Sequence, residues 1–211
     1  DTSKDINKKL KIVVDCANGS ASTTAPILFD KLGLDVVLMN YEYDGYNIND
    51  KAGSTHLEGL IKQVKKLKAD VGIAYDGDAD RVGIVDDKGN IIESDKLMAI
   101  YSKFILKESQ NKNIVIDVKC SMALENAIKN YGGNSIMVCN GSAYIESYIN
   151  SYPAVFGGEY SGHVFFNDHH YGYDDGIYAG LRLQEILCNT DKKLSELSDD
   201  YMKLYNTPEL K

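Results

Sequence analysis

Arginine is nearly missing from this sequence. Of 23 basic residues only Arg81 and Arg182 are arginines; acidic residues number 31, and the formal charge is −8. So acidic a chain suits the phosphate backbone of DNA or RNA poorly, which excludes broad nucleic-acid binding. Long apolar runs are missing too. None approaches the roughly 20 residues of a membrane span, and no charged stretch followed by an apolar one marks a secretory leader. The four cysteines, Cys16, Cys120, Cys139 and Cys188, contain no CxxC pair. Most lie in or beside apolar runs, which predicts reduced, buried thiols and a cytoplasmic setting. The polar opening "DTSKDINKK" reads as the tail of a linker.

What is present is a 211-residue chain that is 44% hydrophobic, enough for one large domain or two of ordinary size. Ile12–Asp15 reads as a short buried strand. A helix follows by Thr24, with Pro26 in its first turn, and stops at Gly33. Val36–Met39 is the next strand, followed by the polar loop "NYEYDGYNINDKAGS". Thr55 and Glu58 fit a capping box for a helix with Leu57, Leu60, Ile61, Val64 and Leu67 on one face. Val71–Ala74 is a third strand. This β-α-β-α-β order implies a parallel sheet with right-handed crossovers. Val82–Val85, the turn "DDKGN" and Ile91–Ile92 then form a hairpin, and Asp95–Lys107 forms a helix.

After "KESQNKN" the pattern restarts. "KIVVD" at 11–15 is echoed by "NIVID" at 113–117, Asn40 by Asn140, and "SDKLMAI" by "DDGIYAG". "DVGIAYDGDADRVGI" and "PAVFGGEYSGHVFF" share a layout. The fold class is therefore α/β: two tandem copies of a mixed-sheet domain of about 100 residues each, 1–108 and 109–211.

The first copy ends its third strand in "YDGDADRVG", where Asp76, Asp78 and Asp80 alternate with Gly77 and Ala79. Three carboxylates this close repel one another without a cation, and together they can present three oxygens to one hard divalent ion. An EF-hand is ruled out, since its sixth and twelfth positions from Asp76 are Arg81 and Asp87 rather than Gly and Glu. An aspartyl-phosphate phosphatase would want a small hydroxyl residue soon after the DxD, where Asp80-Arg81 stands. Three protein oxygens leave an octahedral Mg²⁺ room for a phosphoryl oxygen, which suggests metal-assisted phosphoryl transfer.

Three stretches together resemble the α-D-phosphohexomutase family. "DGDADR" is similar to its metal loop, "GGEYSGH" (157–163) to its sugar-recognition loop, and "VKCS" (118–121) to an active-site strand end of its third domain. The resemblance covers nearly the whole chain and implies domains two and three of a four-domain enzyme. The phosphoserine of domain one and the phosphate loop of domain four lie outside this sequence, and "LYNTPELK" resembles the linker into the latter. By resemblance, Asp76, Asp78 and Asp80 would hold Mg²⁺, with the phosphoserine as a further ligand. Arg81 would contact the transferring phosphate, and Lys119 is a candidate proton-transfer group. Glu159 and Ser161 would bind sugar hydroxyls, with Gly158 and Gly162 allowing close approach of the loop; His163 would reach the sugar or a phosphate. The substrate would be a hexose phosphate and the activator glucose 1,6-bisphosphate, with this piece inactive alone. No membrane or nucleic-acid partner is expected.

The chain departs from the phosphomannomutase/phosphoglucomutase pattern at "NGSAYIES" (140–147). Ser142 stands where that group has His, Ala143 where it has Ser, and Glu146 where it has Lys. "DGYNINDKAGSTH" (44–56) is closer to phosphoglucosamine mutases, whereas Gly158–Leu183 is closer to phosphomannomutase/phosphoglucomutases. A phosphoglucosamine enzyme more often has Gln at Tyr160. A non-catalytic sugar-phosphate or Mg²⁺-binding paralogue is a further alternative. Other polar clusters have plainer readings. His169-His170 is expected to be solvated at a hairpin tip, and Asp174-Asp175 to supply an N-cap and a first-turn charge.

Overall fold

The structure is a computed structural model and describes residues 9–201. The first unit opens with β1 (Lys11–Asp15), α1 (Ala21–Lys31), β2 (Asp35–Met39), α2 (Glu58–Leu67) and β3 (Val71–Tyr75). The hairpin β4 (Val82–Asp86) and β5 (Ile91–Ile92) follows, then α3 (Ser94–Glu108). The second unit repeats the order with β6 (Asn113–Asp117), α4 (Met122–Asn130), β7 (Asn134–Val138), α5 (Ser142–Ser151), β8 (Phe156–Gly158), β9 (Val164–Phe166), α6 (Gly176–Cys188) and α7 (Leu194–Asp199). The sheets run β2-β1-β3-β4-β5 and β7-β6-β8-β9. In each the first three strands are parallel and the hairpin strand returns antiparallel. The duplication and the mixed sheets read from the sequence are both present.

Strand side chains alternate between faces, so each sheet divides its apolar residues between two layers. Val13, Ala74 and Val85 meet Leu60 and Val64 of α2 on the outer face of the first sheet. Val115 and Phe165 meet Ile145 and Ile149 of α5 on the outer face of the second. Gly72 and Gly157 hold equivalent places beneath these helices, paired in register with Val13 and Val115. A Cβ on Gly157 would come 2.9 Å from both Ile145 and Ile149. Gly157→Ala is therefore expected to cost about 1–3 kcal/mol through overpacking, read as a lower urea midpoint at unchanged slope.

The inner faces share one core, with Ile12, Val14, Ile73 and Ile84 on one side and Ile114, Ile116, Phe156 and Phe166 on the other. Here the packing crosses the repeats. α3 follows the first hairpin yet packs on α4 and β8, while α6 follows the second hairpin and touches β3 and β4 as well as β9. Tyr101 of α3 shows why: its ring meets Phe156 and Phe166 edge-on, and its hydroxyl donates to the Ala179 carbonyl of α6 at 2.8 Å.

Three local expectations need correction. The first helix starts at Ala21, so Pro26 lies inside it rather than in its first turn. Thr55 caps nothing: α2 begins at Glu58 with Leu57 at its N-cap and no side-chain cap. The backbone of 53–56 is used otherwise, with Ser54 N–H donating to the Tyr75 carbonyl at the end of β3 and His56 N–H closing a turn onto Gly53. Cys16 and Cys120 are buried, but Cys139 is exposed, because the strand that precedes it is the outermost of its sheet, and Cys188 is half-buried. The linker-like residues 202–211 and the N-terminal 1–8 lie outside the described residues. No described helix is long and apolar enough to cross a membrane.

Candidate functional site

The aspartate loop leaves the carboxyl end of β3, where open α/β sheets place their ligands. Asp76 is buried, Asp78 exposed and Asp80 between the two. One oxygen from each lies within 4.8 Å of the others. Arg81 braces the group: its Nε donates to Asp76 Oδ2 at 2.6 Å, and its backbone N–H to Asp76 Oδ1 at 3.2 Å. Burial works against the Arg81 charge, but Asp76, Asp80 and Asp78 outweigh it and raise its pKa. Ala79 turns the loop in a left-handed conformation at φ 65°. From beneath, the segment after β1 grips the loop, with Ser20 N–H donating to the Gly77 carbonyl at 2.8 Å.

The residues present fit a hard cation. Oδ1 of Asp80 is buried with no hydrogen-bond partner. Burial, together with the Asp76, Asp78 and Asp174 charges, pushes the Asp80 carboxyl up to about 6, despite the opposing pull of His163. A divalent ion would supply the missing partner and neutralise the mutual repulsion.

The second loop meets the first directly. Glu159, Ser161, Gly162 and His163 join β8 to β9, and Arg81 and His163 form an antiparallel β-bridge. Val82 N–H donates to the Gly162 carbonyl at 3.2 Å, and Gly176 N–H to the Ala79 carbonyl at 3.0 Å. Gly162 adopts φ 101°, with Val82 O only 3.1 Å from where a Cβ would sit. Gly158 is likewise enclosed, between Met98 and the His163 carbonyl. Glu159 is buried; Oε1 accepts from Gly141 N–H at 2.6 Å, and Oε2 from the Ser161 hydroxyl at 3.3 Å. That first bond fixes the start of α5, where Ser142 and Ala143 stand.

Lys119 is exposed on the segment after β6. That segment is tied to the second loop by Asp117, whose Oδ1 accepts from the Cys120 thiol at 2.9 Å and from Tyr160 N–H at 3.3 Å. The structure thus brings both loops to one edge, with Lys119 on the strand end beside them.

Three contributors escaped sequence reasoning. Asp117 and Gly141 act on the second loop through hydrogen bonds between distant segments. Asp174 was expected to serve α6. Asp175 alone does so, as an N-cap accepting from Tyr178 N–H at 2.9 Å. Asp174 instead lies 2.9 Å from His163 Nδ1. One signal was available: a helix needs a single N-cap, and the acid before it had no helical task. His170 also differs from expectation. Its ring is half-buried against Tyr173 and Tyr178, with Nε2 3.5 Å from Asp175.

Two repeated α/β/α units, one ending a strand in an acidic cation-type loop and the other pressing a polar loop against it, define a duplicated domain pair with both loops on one edge. The chain belongs to the phosphoglucomutase/phosphomannomutase family: the model of its α/β/α domain II matches residues 1–89 and that of domain III residues 93–205. A phosphomannomutase/phosphoglucomutase of Pseudomonas putida is 39% identical over 206 residues, covering 96% of this chain and 44% of that protein. A phosphoglucosamine mutase of Acetivibrio thermocellus is 42% identical over 193 residues, covering 90% of this chain and 43% of that protein. The crystal structure of a phosphoglucomutase/phosphomannomutase family protein from Burkholderia thailandensis superposes with a TM-score of 0.89 at 34% identity, over 98% of this chain and 46% of that one. The chain therefore spans less than half the length of these relatives.

Proposed function

We propose that this chain is the central part of a phosphohexomutase that interconverts hexose 1-phosphates and 6-phosphates. The phosphoryl group passes between a serine and the sugar by way of a 1,6-bisphosphate. That serine belongs to a segment outside this sequence, so the 211 residues alone are expected to be inactive. The observation that carries the reading is the backbone junction at Arg81–His163, which sets the carboxylate triad beside the Glu159–His163 loop. Mg²⁺ held by Asp76, Asp78 and Asp80 would offset negative charge on the serine-borne phosphate. Arg81, already turned toward the triad, contributes a positive charge at the same place. Glu159 and Ser161 supply an acceptor and a donor–acceptor for sugar hydroxyls once their mutual contact opens. Gly158 and Gly162 keep that loop thin, and His163 and Lys119 are the candidates for moving the hydroxyl proton. Glucose 1,6-bisphosphate is the expected activator, the cytoplasm the expected setting, and the parts of the longer chain before and after this piece its structural partners.

The full-length protein, assayed with Mg²⁺ and a trace of glucose 1,6-bisphosphate, should convert glucose 1-phosphate and mannose 1-phosphate. Asp80→Asn should lower kcat by about a hundredfold, the scale of losing one transition-state charge contact. Turnover unaffected by Asp80→Asn would sink the assignment of the triad. A second reading, phosphoglucosamine mutase, is favoured by the 42% identity to that enzyme of Acetivibrio thermocellus. A higher kcat/KM for glucosamine 1-phosphate would establish it. Failure with every hexose phosphate would point to a non-catalytic paralogue, a reading motivated by Ser142 and Glu146.

A further inference from the structure

His163 sits where the two loops join, and its Nδ1 is buried. Three carboxylates surround the ring: Asp174 from the segment before α6, Asp80 from the aspartate loop, and Glu159 from its own loop. Two of them reach Nδ1, Asp174 Oδ2 at 2.9 Å and Asp80 Oδ2 at 3.5 Å. Neither contact is an in-line hydrogen bond with the ring as it stands, and Asp174 is the nearer acceptor for an Nδ1–H. Among the described residues no group bonds Nε2.

The two carboxylates are not equivalent. Asp80 has other duties, since it completes the triad with Asp76 and Asp78 and lies 3.8 Å from Arg81 Nε. A cation drawing on Asp80 weakens its hold on the imidazole. Asp174 has no other side-chain partner among the described residues, and its backbone is bridged to Phe165 of β9, the strand that His163 leads into. Ring and carboxylate are thus anchored to the same strand.

We propose that Asp174 is a positioning residue for His163. It keeps the proton on Nδ1, and so leaves the Nε2 lone pair free for a substrate hydroxyl, when a cation occupies the triad and Asp80 is withdrawn. A histidine's useful nitrogen is set by the bond its other nitrogen makes. Asp174 therefore lets cation binding and imidazole orientation coexist on adjoining loops. The inference rests on the cation reading of the triad, and the test separates the two.

The test is ¹⁵N NMR of the histidine rings in the 211-residue chain at about pH 9, where neutral imidazole reveals its tautomer. Wild-type His163 should show the Nδ1–H tautomer with and without saturating Mg²⁺. Asp174→Ala should keep it without Mg²⁺, through Asp80, and move toward the Nε2–H form favoured by free histidine as Mg²⁺ is added. Asp174→Asn retains an acceptor oxygen and should behave as wild type, which guards against a folding artefact. An Nε2–H tautomer in the wild type would overturn the proposal. So would an Asp174→Ala spectrum that stays Nδ1–H while loop amides report Mg²⁺ binding. If the loop amides show no response to Mg²⁺, the cation reading fails, and metal-free Asp80→Ala, alone and combined with Asp174→Ala, decides the matter. Nδ1–H kept in Asp80→Ala and lost in the double variant supports Asp174; loss in Asp80→Ala alone, or retention in the double variant, refutes it.

Discussion

Arg182→Ala is expected to destabilise the fold by about 3–5 kcal/mol, the usual result of stripping one partner from a buried ion pair. Arg182 and Asp168 are both nearly buried, at 8% and 10% side-chain exposure. The guanidinium grips the carboxylate with both terminal nitrogens at 2.7 Å. Its Nε lies 3.0 Å from Glu185, and its plane covers the Phe166 ring at 4.9 Å. Alanine removes that packing and leaves Asp168, among the described residues, with only the His169 N–H, at 2.8 Å. For a chain of this size the loss corresponds to roughly 6–20 °C in Tm. Replacing both partners with apolar residues, Arg182→Met with Asp168→Leu, should recover much of it, because no charge is then left buried.

The acid limb of the stability curve gives an independent check. Burial would raise the Asp168 carboxyl, but Arg182 prevails and holds it below its ordinary value. A carboxyl depressed in the folded state stabilises above its unfolded pKa of about 3.9, and that contribution is lost as the pH falls through the folded value. The stability gap between wild type and Arg182→Ala should therefore be widest above about pH 4 and close at lower pH. A gap independent of pH would assign the effect to lost packing on Phe166 instead.

Much of this architecture was legible because it is periodic. Alternation in "KIVVD" and "NIVID" places Val13 and Val115 on one face and their neighbours on the other, and a strand offers only two faces. The aspartate loop was legible for a different reason: three adjoining like charges need a cause, and few causes exist. The exchange of α3 and α6 was not legible. Helical periodicity marks Leu97, Ile100, Tyr101 and Ile105 as apolar, but not beneath which sheet they lie, and both sheets offer apolar inner faces. Asp174 was hidden likewise, since its partner His163 is reached through tertiary structure. Pro26 and Thr55 misled in the opposite sense. Each fits a local rule for helix starts, but longer-range bonds fix the approach to both helices: Ser20 N–H pairs with Gly77 ahead of α1, and Ser54 N–H with Tyr75 ahead of α2.

That the two loops act as one edge makes the sharpest prediction about Gly176. This first residue of α6 belongs to the second unit yet presses on the aspartate loop of the first. A Cβ there would lie 2.6 Å from the Arg81 carbonyl oxygen and 2.8 Å from that of Ala79, and backbone cannot give way as a side-chain tip can. Gly176→Ala should cost about 1–3 kcal/mol for the forced displacement and about 1 more as the Gly176–Ala79 hydrogen bond stretches. It should also weaken Mg²⁺ binding by about ten- to a hundredfold, the range seen when groups supporting a metal ligand are disturbed. The same substitution at Gly59 provides the contrast. Gly59 is an exposed helical position of α2, with Met39 Cε 3.7 Å from the would-be Cβ. Gly59→Ala should stabilise by up to about 1 kcal/mol through helix propensity and leave Mg²⁺ binding unchanged. Urea midpoints and Mg²⁺ titrations of the two variants would differ in sign for stability and in magnitude for affinity. If Gly176→Ala lowered stability without touching affinity, α6 would be a support for the fold alone, and the aspartate loop would keep its shape without the second unit.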